Sequence, residues 1–100
     1  MKVVQLKHES KRSRMDVISC ILEKSNQRAN ETRLLHMCDL SPSQLNPYRK
    51  FLVESGLLEV SGQEQDVDIF ETTEKGRDFL RDYARVKALF SIGSKRQKGR

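Results

Sequence analysis

The chain has 100 residues, 36% of them hydrophobic and 33% charged, with a formal net charge of +5. That length holds one small domain with an extension, and so lean a core gains from a partner subunit that covers apolar surface. No apolar run approaches the ~20 residues of a membrane span, and the opening MKVVQLKHESKR carries no secretory apolar stretch. Two cysteines without repeated spacing make neither a disulfide scaffold nor a zinc ribbon, so a soluble protein of the reducing cytoplasm is expected.

The positive charge is concentrated at the ends. Residues 1–14 carry +4 and residues 91–100 another +4, which leaves 15–90 at −3. Between Phe51 and Glu74 stand seven acids and no Lys or Arg. A polyanionic partner would therefore be drawn to the two ends and to the stretch around Arg28, Arg33, Arg49 and Lys50.

In chain order, residues 1–13 read as a basic arm, either flexible or a short edge strand through its apolar patch at Val3, Val4 and Leu6, with His8 as an ordinary member of it. Arg14 to Ser25 reads as a helix whose inner face is Met15, Ile18, Ile21 and Leu22, with Asp16, Cys20 and Glu23 opposite. Asn26 to Asn30 is a polar connector. A short second helix fits Glu31 to Cys38, capped by Asn30, with Leu34, Leu35 and Cys38 inward. Asp39-Leu40 makes a turn, and Ser41-Pro42-Ser43-Gln44 is a capping box with proline at the first helical position. Leu40 and Leu45 stand where a hydrophobic staple would clamp that cap.

The third helix runs to about Ser55 and stops at Gly56. Its inner face is Leu45, Tyr48 and Leu52, and its outer face is Ser43, Asn46, Pro47, Lys50 and Glu54. Pro47 cannot donate to the Ser43 carbonyl, which predicts a kink or a partly separate first turn. Leu57–Val60 and Val67–Thr72 are β-prone, with Ser61 to Asp66 as the hairpin loop between them. A last helix spans about Thr73 to Phe90 or Ser91. Phe79, Tyr83, Val86 and Phe90 follow the 4-3-4 spacing of a coiled-coil seam, flanked by Leu80 and Leu89. The residues beyond are expected to be disordered.

Helix, helix, tight turn, helix, hairpin and long helix is the order of a mainly α (α+β) winged helix-turn-helix: three helices, a β-hairpin wing and a long C-terminal dimerisation helix. The implied division is an arm over 1–13, a winged-helix domain over 14–74, a coiled-coil-like helix over 75–91 and a basic disordered tail over 92–100.

The motif L-S-x-x-Q-L-x-x-Y at Leu40, Ser41, Gln44, Leu45 and Tyr48, with G-L-L-E at Gly56–Glu59 and T-T-E-K-G at Thr72–Gly76, resembles an archaeal winged-helix family. That family comprises ArnR-like regulators and small chromatin-associated coiled-coil dimers, and the resemblance covers about residues 12–90. It implies DNA binding without catalysis and dimerisation through the final helix. Pro47 and Arg49 depart from its pattern.

Function is thus expected on the third helix. Arg33, Ser41, Ser43, Gln44, Asn46, Arg49 and Lys50 would contact duplex DNA, with amides reading base edges and cations meeting bases or phosphates. Arg49 would reach a phosphate while its stem packs on the core. Phe79, Tyr83, Val86, Leu89 and Phe90 would join two copies, their distal halves antiparallel.

The hairpin, bearing Glu64, Asp66 and Asp68, would be repelled by the DNA backbone and is expected not to insert into it. Those acids lack the ligand spacing of an EF-hand. Cys20, His36 and Cys38 make no zinc pattern, and Cys20 is expected to face away from Cys38. Asp78 and Asp82 alternate with Arg77, Arg81 and Arg85 as a salt-bridged exposed face, so no catalytic group and no cofactor is expected. A sequence-specific regulator is the leading reading. A nucleoid-associated architectural protein, or a protein–protein module using the acidic hairpin, is the alternative.

Overall fold

The computed structural model describes the backbone of residues 12–99 and the side chains of residues 12–90. Most of the basic arm therefore lies outside the described residues. The elements are α1 (Arg14–Ser25), β1 (Ala29–Asn30), α2 (Glu31–Cys38), α3 (Pro42–Glu54), β2 (Leu58–Glu64), β3 (Val67–Thr72) and α4 (Glu74–Gly99). This is a winged helix: helices packed against a small antiparallel sheet of order β1-β3-β2.

Ser13 caps α1 by accepting a 3.0 Å hydrogen bond from the Asp16 backbone. The buried face of α1 is Val17, Ile18, Ile21, Leu22 and Ser25. It is thus turned toward Val17 and away from Met15, which is exposed. The turn has a consequence at Cys20. One residue flanking Val17 on the helical wheel, Cys20 is half-buried against the core rather than outward. It pairs with Cys38 at the end of α2, with a Cα–Cα separation of 5.9 Å. The expectation that these two cysteines face apart is therefore corrected. α2 crosses the Val17 flank of α1, and a helical wheel does not reveal which flank a neighbour occupies.

The polar connector contains a two-residue strand, in which Ala29 pairs with Phe70 and Asn30 with Ile69. Asn30 then caps α2, accepting from the Arg33 backbone at 2.8 Å. Asp39 ends α2 in the left-handed region at φ 57°. The capping box at Ser41 and Gln44 is complete in both directions, with bonds of 3.2 and 2.8 Å. α3 is unbroken through Pro47, so its first turn is not a separate segment.

The hairpin is tighter than the sequence suggested. β2 continues through Gly62 to Glu64, with a bulge between Val60 and Gly62. The turn is only Gln65-Asp66, both at positive φ (53° and 66°), as a primed turn requires. A strand that passes the bulged Ser61 and resumes pairing at Gly62 leaves no six-residue loop.

The core gathers Ile21, Leu22, Leu34, Leu45, Leu52, Leu58 and Phe70, all essentially without solvent contact. Thr72 ties the sheet to α1 through a buried 2.6 Å bond to the Leu22 carbonyl. Two glycines are demanded by geometry. Gly56 ends α3 at φ 81°. A Cβ on Gly76 would collide with the Leu57 carbonyl oxygen, so only glycine lets α4 start against the backbone just ahead of β2. Thr73 caps α4 by accepting from the Gly76 backbone at 3.1 Å, and Lys75 Nζ donates to the Ser55 carbonyl at 2.8 Å. The α4 backbone extends to Gly99, past the Ser91 boundary. Lys and Arg are good helix formers, and their charge suits a helix C-terminus.

Candidate nucleic-acid interface

α3 is held from behind by Leu45 and Leu52, so its opposite side faces solvent. Ser41, Ser43, Gln44, Asn46, Pro47 and Lys50 are all exposed. The cap occupies part of this set. Ser41 Oγ receives the Gln44 backbone and lies 3.2 Å from Ser43 Oγ, while Gln44 Oε1 receives the Ser41 backbone. Ser41 and Gln44 therefore first build the helix end. What Gln44 retains for a ligand is its amide N–H₂.

Arg49 is half-buried, and its guanidinium is already engaged. It donates to Asn46 Oδ1 and, at 3.5 Å, to Glu31 Oε1, and it lies 5.9 Å from the centre of the Phe70 ring. The stem packs inward as expected, but the head is turned to its own protein. Arg49 thereby orients Asn46, whose Oδ1 is taken and whose N–H₂ remains a donor. Lys50 is the exposed cation of this helix face. Beside it, Asn46, Arg49, Lys50, Val53, Val60, Asp68 and Phe70 line a shallow groove between α3 and the hairpin.

The hairpin presents Glu64 and Asp66 to solvent, and Asp68 accepts from Gln63 at 2.8 Å. Arg28, at positive φ, lies over the strands, 3.3 Å from Ser61 Oγ and 3.9 Å from Glu71. Arg33 is exposed on α2, beside a cleft shared with Gln27, Arg28 and Glu64. Sequence reasoning missed the Arg49–Asn46–Glu31 group. The signal was Arg49 itself, a cation on the flank of α3 next to the core.

α4 divides into two halves. Phe79 and Leu80 pack on the core, with Phe79 stacked on Tyr83 at 5.7 Å. Val86, Leu89 and Phe90 are 49%, 70% and 74% exposed. The Tyr83 hydroxyl donates to Asp16 at 2.7 Å, and Lys87 Nζ lies 3.5 Å from the same carboxylate. The hydrogen bond from Tyr83, outweighing desolvation, holds the Asp16 carboxyl below its ordinary value, and the same bond raises the Tyr83 phenol. These contacts fix the angle at which α4 leaves the domain.

A buried scaffold, an open polar α3 and a hairpin beside it define a winged helix-turn-helix protein. The chain belongs to the winged helix-turn-helix family, whose model matches residues 11–91. Among solved structures it is similar to Sso10a-2, a DNA-binding protein from Sulfolobus solfataricus. That likeness has 24% identity and a TM-score of 0.69, over 87% of this chain and 95% of that one. It is also similar to a PadR family transcriptional regulator from Eggerthella lenta, with 19% identity, a TM-score of 0.75, and coverage of 93% and 86%. The adhesin competence repressor of Streptococcus pyogenes matches at 22% identity and a TM-score of 0.64, over 97% of this chain and 75% of that one. At these identities the likenesses establish the fold. No curated protein sequence matches the chain.

Proposed function

We propose that this protein is a dimeric, non-enzymatic regulator that binds double-stranded DNA through the outer face of α3. It would act in the cytoplasm, at the nucleoid. The observation that carries the proposal is the uncovered row of Ser43, Asn46 and Lys50 on a helix whose opposite side is anchored in the core by Leu45 and Leu52. In a groove ~12 Å wide, Asn46 donates its amide to a base acceptor, and Lys50 meets a guanine edge or a phosphate. Ser43 and Gln44, at the positive end of the helix dipole, and Arg33 on α2 meet phosphates. Arg49 supports Asn46 from behind, and Ser41 holds the helix end. The basic segments at the two ends of the chain add sequence-independent attraction.

Two copies join through the distal half of α4. Three large apolar side chains standing in water on one helix stripe are a poor arrangement for a monomer, and a second copy covers them. The dimer presents two α3 helices to one duplex. Resemblance to small archaeal chromatin proteins makes an abundant architectural role the second reading. Competition by unrelated duplex separates it from a sequence-specific regulator.

A salt titration of duplex affinity tests the proposal, with log K expected to fall steeply with log salt. Absence of binding at low salt would leave a protein-binding module. Sedimentation should give a dimer that Val86→Glu with Phe90→Glu converts to a monomer. A wild-type monomer at high concentration would remove the two-helix arrangement.

A further inference from the structure

We propose that Cys20 and Cys38 are a redox-modifiable pair whose oxidation staples α2 to α1 and thereby sets the order of the DNA-reading end of the domain. The substrates are small-molecule disulfides in one direction and dithiols in the other. This rests on the DNA reading only for its effect on affinity, not for the staple itself.

α2 has eight residues and fully buries only Leu34 and Cys38. So short a helix with so little buried surface contributes little to its own fixation. Its last residue, Cys38, stands three positions before Ser41, the cap of α3. Among the contacts at that end, two reach it from outside α2: the Arg12 guanidinium, which donates to the Cys38 carbonyl, and Cys20, through its sulfur. The Cα separation of 5.9 Å lies within the range that disulfides span. The two sulfurs differ in access, for Cys38 is 2% exposed while Cys20 is half-buried at the surface, its sulfur 3.8 Å from the Met37 carbonyl oxygen. Reagents therefore meet Cys20 first.

In the oxidising direction, the Cys20 thiolate attacks a small disulfide, forming a mixed disulfide and releasing one thiolate. The Cys38 thiolate then attacks the Cys20 sulfur and releases the second. The protein's two thiols lose two protons and two electrons, and the small disulfide becomes two thiols. A dithiol attacking Cys20, with Cys38 leaving, reverses it. The closed crosslink spans a separation of 18 residues and removes conformations from the unfolded chain.

The full-length chain should be equilibrated with oxidised glutathione or with dithiothreitol, then alkylated under denaturing conditions, melted, and titrated with a mixed-sequence duplex. The oxidised form should take up no alkyl groups and melt roughly 10 °C or more above the reduced form. It should also bind duplex about three- to tenfold more tightly. Cys20→Ser, changed at the half-buried position, should melt and bind like the reduced form under both conditions. Cys38→Ala serves the same purpose without burying a hydroxyl. Two alkylatable thiols after oxidation, or equal melting of the two forms, would overturn the proposal. Equal duplex affinity of the two forms would overturn its link to DNA reading. Failure of both forms to bind duplex would defeat the DNA reading instead, with the melting difference still deciding the staple.

Discussion

α3 and the hairpin are the two elements with which a winged helix reaches a duplex, and in this chain their chemistry is opposite. α3 offers amides, hydroxyls and one exposed cation on a face that no described element covers. The hairpin tip offers Glu64 and Asp66 at a two-residue turn, and Arg28, which lies over its strands, is spent on Ser61 and Glu71. A phosphate backbone attracts the first and repels the second. On the proposed function, affinity would be divided: α3 would supply geometry and base contact, and the basic chain ends charge. The hairpin contributes structure, because β3 carries Phe70 and Thr72 into the core.

Breaking α3 should have the largest effect. Asn46→Ala with Lys50→Glu removes a base donor and reverses a charge, and duplex affinity should fall about 100-fold, since each good base contact is worth ~1–3 kcal/mol. The melting temperature should hold, as both side chains are exposed. Arg49→Ala should lower affinity less, about three- to tenfold. It should also lower stability by ~1 kcal/mol, because it frees Asn46 and leaves the Phe70 ring less covered. Thermal melting and anisotropy together separate those two effects. Glu64→Gln with Asp66→Asn should raise affinity only two- to fivefold by removing repulsion. A loss of affinity would mean that those carboxylates contact the ligand.

The smallest effect concerns α4 and pH. Asp16, held below its ordinary 3.8 by Tyr83, stabilises the fold above that value, and this stabilisation is lost as pH falls through the folded-state pKa. Tyr83, raised above 10.0, contributes below 10 and loses its contribution as pH rises through its own folded-state value. Tyr83→Phe should flatten both limbs of a plot of melting temperature against pH.

Much of this arrangement was legible in the sequence wherever a local motif carries its own mechanism. The capping box fixed the start of α3, and Gly56 fixed its end. T-T-E-K-G proved to be a joint: Thr73 caps α4, Lys75 caps the end of α3, and Gly76 lets α4 touch the Leu57 backbone just ahead of β2. What escaped depends on which flank of a helix meets a neighbour. Val17 rather than Met15 completes the buried face of α1, and Cys20 follows Val17 toward Cys38. The partners of Arg49 lie on three elements (Asn46, Glu31 and Phe70), so no spacing along the chain announces them. Similarly, β1 is too short to carry a period-two pattern and exists because β3 pairs with it.

Backbone amide chemical shifts, followed while a duplex is titrated into the isotope-labelled protein at low salt, test the central claim most directly. Perturbations concentrated over Ser41 to Lys50, with Gly62 to Asp68 nearly unmoved, are the predicted result. Shifts concentrated in the hairpin, or a silent α3 in a protein that binds duplex, would contradict it.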